Sequence, residues 1–163
     1  MNKHLAANEI SLRDTCPEDE EFLLQVYYST RADEMALVPW TDEQKAGFVR
    51  MQFNAQHAHY HQSFPAADYK IILRHDEPVG RLYVDKDGET FEILDVTIVP
   101  AHRNEGIGSG LLRQLLAEAT HERKVVRIHV ESYNPSQSLF QRLGFSMIEE
   151  NGLNHLLEWR PTM

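Results

Sequence analysis

A single cysteine, Cys16, is the only thiol in this chain of 163 residues. No intrachain disulfide can form, so the fold must be held by its core, and a reducing compartment fits. Nothing around Cys16 marks a nucleophile, and a half-buried structural thiol is expected there. No apolar run approaches the roughly 20 residues needed to cross a bilayer. The first residues also lack the apolar stretch of a secretory leader. A cytoplasmic location with no membrane partner is therefore expected. Basic charge is scarce, with 16 Lys and Arg against 25 Asp and Glu, a net charge of −9. This balance argues against a sequence-independent nucleic-acid binder, which needs basic surface, and it suits an amine-bearing partner. Repeats, low-complexity segments and linkers are missing. No Gly-Lys-Ser/Thr follows the glycines, which excludes a P-loop. The length and a 42% hydrophobic content fit one domain over residues 1–163, with about 1–8 as a loose tail.

What is present centres on Asp95 to Leu112. An apolar strand runs into Pro100, a polar loop follows, and a helix opens with Gly106, Gly108 and Gly110 in its first turns. Glycine costs roughly 1 kcal/mol relative to alanine inside a helix. Three so close together fit close approach of main-chain N–H groups to a bulky anion, favoured by the positive end of the helix; the alternative is a plain strand-loop-helix connection with a glycine-softened start.

Around this stretch the pattern is regular. Glu9–Arg13 alternates as a first strand. Residues from Glu18 to about Arg31 carry Phe22, Leu23, Val26 and Tyr27 at helical spacing. Thr41 opens a second helix whose expected inner face holds Phe48, Met51, Gln52 and Ala55. At its end His57 and His61 share a face, which is half of a zinc site. With no third ligand evident, a solvated polar face is expected and no metal. Tyr69–Arg74, Val79–Val84 and Thr90–Val99 read as an antiparallel meander, with Asp87-Gly88 as a tight turn. Ile107, Leu111, Leu115 and Ala119 form an apolar stripe along the glycine-rich helix. Val125–Val130 is a strand, Asn134-Pro135 starts a short helix that stops at Gly144, and Phe145–Glu150 and Leu153–Trp159 are two final strands. An α/β (α+β) fold is expected: a mixed, mainly antiparallel central sheet with helices on both faces.

Two motifs in this order carry a resemblance. Arg103-x-x-Gly106-x-Gly108, following Val-x-Ile-x-Pro100, resembles the acyl-CoA signature of the GNAT family of N-acetyltransferases. Asn134-Pro135 followed by Leu139-Phe-Gln-Arg-Leu-Gly-Phe145 is similar to the segment that closes the domain in that family. The likeness is specific over about 67–148 and architectural over 9–66. It implies acetyl-CoA as acyl donor and a primary amine, of a small molecule or a protein, as acceptor. By position it implies that Arg103, Asn104, Glu105, Gly106, Ile107, Gly108 and Ser109 hold the pyrophosphate. Val96, Thr97 and Ile98 would hydrogen-bond the pantetheine arm, and Asn134 would contact it near the fork of the central strands. Five basic and three acidic residues between 103 and 127 reverse the overall charge locally.

For the chemistry, Glu92, six residues before Ile98, is the first candidate general base, the position of the catalytic glutamate in the histone-acetyltransferase branch. Asp95 is the second choice, because strict alternation turns it to the opposite face. Where family members carry a tyrosine as acid for the departing thiolate, this chain has Phe140, and Tyr133 is the candidate substitute. The acceptor site is expected among the first two helices and the meander. Residues 1–45 hold ten acids and four bases, which suits a cationic amine, with Tyr27, Tyr28, Trp40 and Tyr69 as candidate walls. The last strand offers an edge at which a second copy would pair as a homodimer. Two rival readings compete. A dinucleotide-dependent oxidoreductase lacks its third glycine, since Leu111 stands there. A non-catalytic acyl-CoA sensor on the same fold is kept alive by Phe140.

Overall fold

A computed structural model gives the structure of residues 9–132, 134 and 136–162. The expected N-terminal tail, and with it Tyr133 and Pro135, lies outside the described residues. Strands β1 (Ile10–Asp14), β2 (Asp68–Arg74), β3 (Glu77–Asp85), β4 (Thr90–Ile98), β5 (Val125–Glu131), β6 (Ser146–Asn151) and β7 (Asn154–Trp159) form one sheet. Its order is β1-β2-β3-β4-β5-β7-β6. Neighbours run antiparallel except β4 and β5, which are parallel. The final strand β7 is thus an interior strand, and β6 forms the edge. The expectation of a dimer edge on the last strand fails for that reason.

Helices α1 (Glu20–Ala36) and α2 (Asp42–Ser63) cover one face, and α3 (Ile107–Glu122) and α4 (Gln137–Arg142) the other. The stripe read from sequence on α3 is buried: Ile107, Leu111, Leu115 and Ala119 pack with Val79, Leu82, Phe91, Val126 and Ile128. On α2 the expected face is wrong by a fraction of a turn. Val49 and Phe53 are buried, whereas Met51 is 60% exposed. The inner row is 49, 53, 56 and 60, and it lies on Tyr69, Ile71 and Tyr83 of the sheet. Thr41 caps α2 through a capping box with Gln44. Tyr69 closes its other end by bonding the carbonyls of Tyr60 and Phe64.

The sheet is not evenly pleated. Tyr83 pairs with Asp95, and the next pair is Val84 with Ile93, so Leu94 is an extra residue in β4. Such a bulge turns two successive side chains to one side. Phe91 and Ile93 face α3, Leu94 packs on the α1–α2 side, and Val96 and Ile98 return to the α3 side. Asp95 follows Leu94 to the α1–α2 side, where it pairs with Arg81. The expectation that Asp95 and Glu92 face oppositely is corrected, because the inserted residue cancels one step of the alternation.

A second irregularity sits beside it. At Gly80 a Cβ would lie 2.2 Å from the Thr97 carbonyl oxygen and 3.1 Å from the Ile98 Cα. Both are backbone atoms and cannot rotate away. Gly80→Ala should destabilise the protein by about 2–3 kcal/mol, read as a lower urea midpoint.

At the start of α1, Asp19 accepts two hydrogen bonds from Arg13, both 2.8 Å. The Arg13 guanidinium holds the Asp19 carboxyl well below the usual carboxylate range. Cys16 is exposed rather than half-buried. Its thiol is pushed up by hydrogen bonding to the Glu18 and Asp19 carboxylates, the reverse of nucleophile activation. Because folding depresses the Asp19 pKa, its stabilisation is complete above about pH 4 and fades as pH falls further. Arg13 is 39% exposed, so screening limits the pair to about 1 kcal/mol. Asp19→Asn should cost that amount at pH 7, and chemical denaturation at descending pH should show variant and parent converging below pH 4.

Candidate active site

The site grows from the place where the parallel pair ends. β4 and β5 are paired from Thr90–Val125 to Ile93–Ile128 and no further. Beyond that point β4 bulges at Leu94 and continues to Ile98, while β5 continues to Glu131 against β7 alone. A wedge opens between them. Along its β4 wall the main chain is unclaimed by a neighbouring strand. The Val99 N–H donates to the Val79 carbonyl at 2.9 Å, so ladder alternation commits Thr97 and Asp95 to β3 and turns the main-chain groups of Val96 and Ile98 toward the wedge. The Ile98 carbonyl accepts from Arg103 Nε at 3.0 Å. The Leu94 carbonyl accepts from the Tyr60 hydroxyl at 3.0 Å, which anchors the bulge to α2. Burial pushes the Tyr60 hydroxyl far up, so it stays a donor.

The loop after β4 ends in an unusual helix start. Asn104 has φ 63° and Gly106 has φ 81°, the left-handed region that glycine enters without steric cost. Gly106 is the N-cap of α3, with no side chain to cap the first N–H groups and no acid in the first turn. Those N–H groups have no partner within the helix. A Cβ on Gly108 would lie 3.9 Å from Ile98 Cγ1, and one on Gly110 would meet nothing within 4 Å. The protein's own packing therefore does not demand these glycines. Glu105 is the one carboxylate in the loop, and it is drawn away by Arg74 at 2.7 Å and His102 at 3.2 Å. Arg103 and Arg113 lie near the helix start, Arg113 donating to Ser109 Oγ at 3.2 Å. The other basic residues of the 103–127 stretch do not. Lys124 bonds the Gly88 carbonyl, and Arg127 bonds Glu158, at the far end of a helix about 24 Å long.

On the α1–α2 side of the wedge the charged groups are mostly paired. Asp95 binds buried Arg81, 2% exposed, and accepts from the Thr97 hydroxyl at 2.6 Å. Burial opposes the Arg81 charge, and the Asp95 carboxylate together with the Tyr83 and Tyr60 hydroxyls outweighs it, so the guanidinium pKa rises. Arg81 also donates to Gln56 of α2 at 3.0 Å and lies 4.9 Å from the centre of the Tyr83 ring. Glu92, opposite Arg127 in β5, is half-buried, and its side chain has no hydrogen bond or ion pair among the described residues. No sequence motif singles out His129. Val126, Ile128 and Val130 are buried in the α3-side core, so Arg127, His129 and Glu131 face the other way, and the alternation in Val125–Val130 was the signal.

The remaining expected residues are placed as follows. Asn134 Oδ1 accepts from the Ser136 N–H at 2.9 Å, so that oxygen is spent on the loop leading into α4. Gln137 of α4 donates to the Glu131 and Ser132 carbonyls and bonds His155. Phe140 is 1% exposed and lies edge-on to Phe145 at 5.2 Å, in the core rather than on an open surface. Tyr27 and Tyr69 are core residues, and Trp40, 41% exposed, packs edge-on to Phe48. His57 and His61 do share a face of α2, with ring centres 4.3 Å apart, and His61 stacks on Tyr69 at 4.1 Å. They line a separate cleft of about 480 Å³ beside Cys16, Glu20, Leu23 and Phe53, on the β1 side of the sheet, away from the wedge. Among the described residues no helix is long and apolar enough to cross a membrane.

The fold has solved relatives of low identity. PaiA N-acetyltransferase from Thermoplasma acidophilum, in complex with coenzyme A, is 18% identical over 93% of this chain and 98% of its own, with a TM-score of 0.71. An acetyltransferase from Thermus thermophilus is 18% identical over 93% of this chain and 96% of its own, with a TM-score of 0.67. YncA from Salmonella typhimurium, with its cofactor acetyl-CoA, is 19% identical over 95% of each chain, with a TM-score of 0.57. At these identities the likeness establishes the fold. No curated protein matches the chain. The sequence pattern of the acetyltransferase (GNAT) family, however, matches residues 5–145. A match over most of the length, on a sheet that forks where the glycine-rich helix begins, means that this chain belongs to the acetyltransferase (GNAT) family.

Proposed function

We propose that this protein transfers an acetyl group from acetyl-CoA to a primary amine. The observation that carries the reading is the uncapped, acid-free start of α3, set beside a strand whose outward main chain borders an open wedge. A helix N-terminus of this kind is built to receive phosphate, and two of the structural relatives hold coenzyme A or acetyl-CoA. In this reading the loop from Arg103 to Ser109 binds the pyrophosphate through main-chain N–H groups. The retraction of Glu105 by Arg74 and His102 removes the charge that would repel it. Val96 and Ile98 bind the pantetheine arm as a further strand would bind, and Asn134 lies on the opposite wall.

Bound acetyl-CoA supplies an activated acyl group, so the protein's task is positioning and proton removal. Asp95 is a poor base, because Arg81 and Thr97 occupy its oxygens. Glu92 has no such partner and faces the acceptor side of the wedge. It is the group assigned to receive the proton of the amine. Tyr133, beside Asn134, keeps the assignment as substitute acid for the thiolate, since the resemblance places that acid at position 140, where this chain has Phe. A hydroxyl at position 140 would be buried where Phe140 packs on Phe145. The acceptor approaches between α1 and the β5–β7 half of the sheet, past Arg31, Glu34 and Glu131.

Acetyl-CoA should raise the melting temperature of the parent protein by mass action. Gly108→Asp should abolish that shift while leaving the unliganded melting temperature close to the parent's, since the position is open. A panel of amines with acetyl-CoA, followed by thiol release, should identify at least one acceptor. An unchanged thermal shift in Gly108→Asp would place the phosphates elsewhere, and binding without turnover on any amine would favour a sensor.

A further inference from the structure

The wedge walls on the α1–α2 side can be sorted by which groups are already committed. Asp95 is held by Arg81 and Thr97. Arg127 bonds Glu158 at 2.8 Å, and Glu131 lies 3.8 Å from Arg31 of α1. Among the described residues the side chains of Glu92 and His129 carry neither a hydrogen bond nor an ion pair. Glu92 pairs with Arg127 across the last stretch of parallel ladder, and Ile128 is the last β5 residue that β4 pairs. His129 is therefore the first β5 residue beyond the fork, on the Glu92 face, about 7 Å along the strand from the partner of Glu92. It is exposed, whereas Glu92 is half-buried.

Resting on the acetyl-transfer reading, we infer that His129 is the proton relay of this site. Its imidazole takes the amine's proton from Glu92, through one water, and delivers it to solvent. The amine nitrogen forms the new C–N bond, and the C–S bond breaks with its electron pair on sulfur. The nitrogen's proton passes to the Glu92 carboxylate, to a ring nitrogen of His129, and then to bulk water. A half-buried carboxylate facing a docked amine is cut off from solvent and must be emptied each turnover. An imidazole titrates near neutrality and can accept and release a proton at working pH.

The charged groups facing His129 are known from each neighbouring element. They are Glu92 on β4, Arg127 and Glu131 on its own strand, Glu158 on β7 with Arg160 just beyond it, Glu149 on β6 opposite the His129 partner Leu156, and Arg31 and Glu34 on α1. Glu158 is held by both Arg127 and Arg160, and Arg31 by both Glu34 and Glu131. Glu92 and Glu149 are the two of these groups left without an ion pair among the described residues.

The test combines rescue, a pH profile and protection. His129→Ala, at an exposed position, should fold as the parent does and bind acetyl-CoA unchanged. Its kcat at neutral pH should fall about tenfold or more, and added imidazole should restore most of it. Glu92→Gln should fall further and not respond to imidazole. In the parent the acid limb of kcat should follow a histidine-like ionisation that His129→Ala lacks. Separately, acetyl-CoA should slow carbethoxylation of His129 in the parent, mapped by peptide mass, while His121 at the far end of α3 reacts as before. Turnover by His129→Ala equal to the parent, or loss that imidazole does not repair, overturns the relay. Unslowed carbethoxylation of His129 overturns it whether or not turnover is seen. Protection without acetylation of any amine would defeat the transferase reading and remove the relay role with it, leaving His129 only as a wall of the wedge.

Discussion

The ion pair between Arg81 and Asp95 sits where the sheet stops being regular, and the α1–α2 side of the fork is arranged around it. Leu94 is one residue too many for β3 to match, and a bulge left unpinned is free to slip. Arg81 is almost wholly buried, so its charge requires a partner there, and Asp95 reaches it only if the bulge lies at Leu94. Buried ion pairs contribute little net stability against an apolar alternative, yet removing one partner costs several kcal/mol. The pair therefore acts less as glue than as a register mark. It fixes which residues of β4 face α2, and so which main-chain groups of Val96 and Ile98 border the wedge.

The same arrangement decides how an acidic protein can hold an anionic donor. A net charge of −9 would repel phosphate at long range. The loop answers locally. The first turn of α3 contains no acid, and its N–H groups are left uncapped. Glu105 is held against Arg74 and His102 instead of facing the helix start. In the proposed reaction the acids on the α1–α2 side of the sheet face the amine, where a cationic acceptor gains from them. On the proposed function the two ligands are separated by charge, each meeting a different strand edge and sheet face.

Much of this was legible from residue order, because the signals are short-range. The glycine spacing in Gly106-x-Gly108, the Thr41 cap, the Ile107–Ala119 stripe and the three-strand meander each depend on neighbours a few residues away. The inner face of α2 was misread because its hydrophobic pattern is weak: Met51 and Phe48 compete with Val49 and Phe53, and only contact with Tyr69 and Tyr83 selects among them. The edge of the sheet was misplaced because β7 inserts between β5 and β6, a choice that no local pattern in either strand encodes.

The sequence by itself determined the element order, the family likeness, and a glycine-rich helix start, since these rest on backbone propensity and spacing along one segment. The tertiary structure alone decided that Asp95 shares a face with Glu92, that Arg81 takes it out of use, that Phe140 turns into the core, and that His129 stands at the mouth of the fork. Each of these depends on the pairing of segments far apart in the chain. One inserted residue in β4 reverses the alternation that sequence reading assumes, and only β3, holding its register through Arg81, shows that the insertion is there.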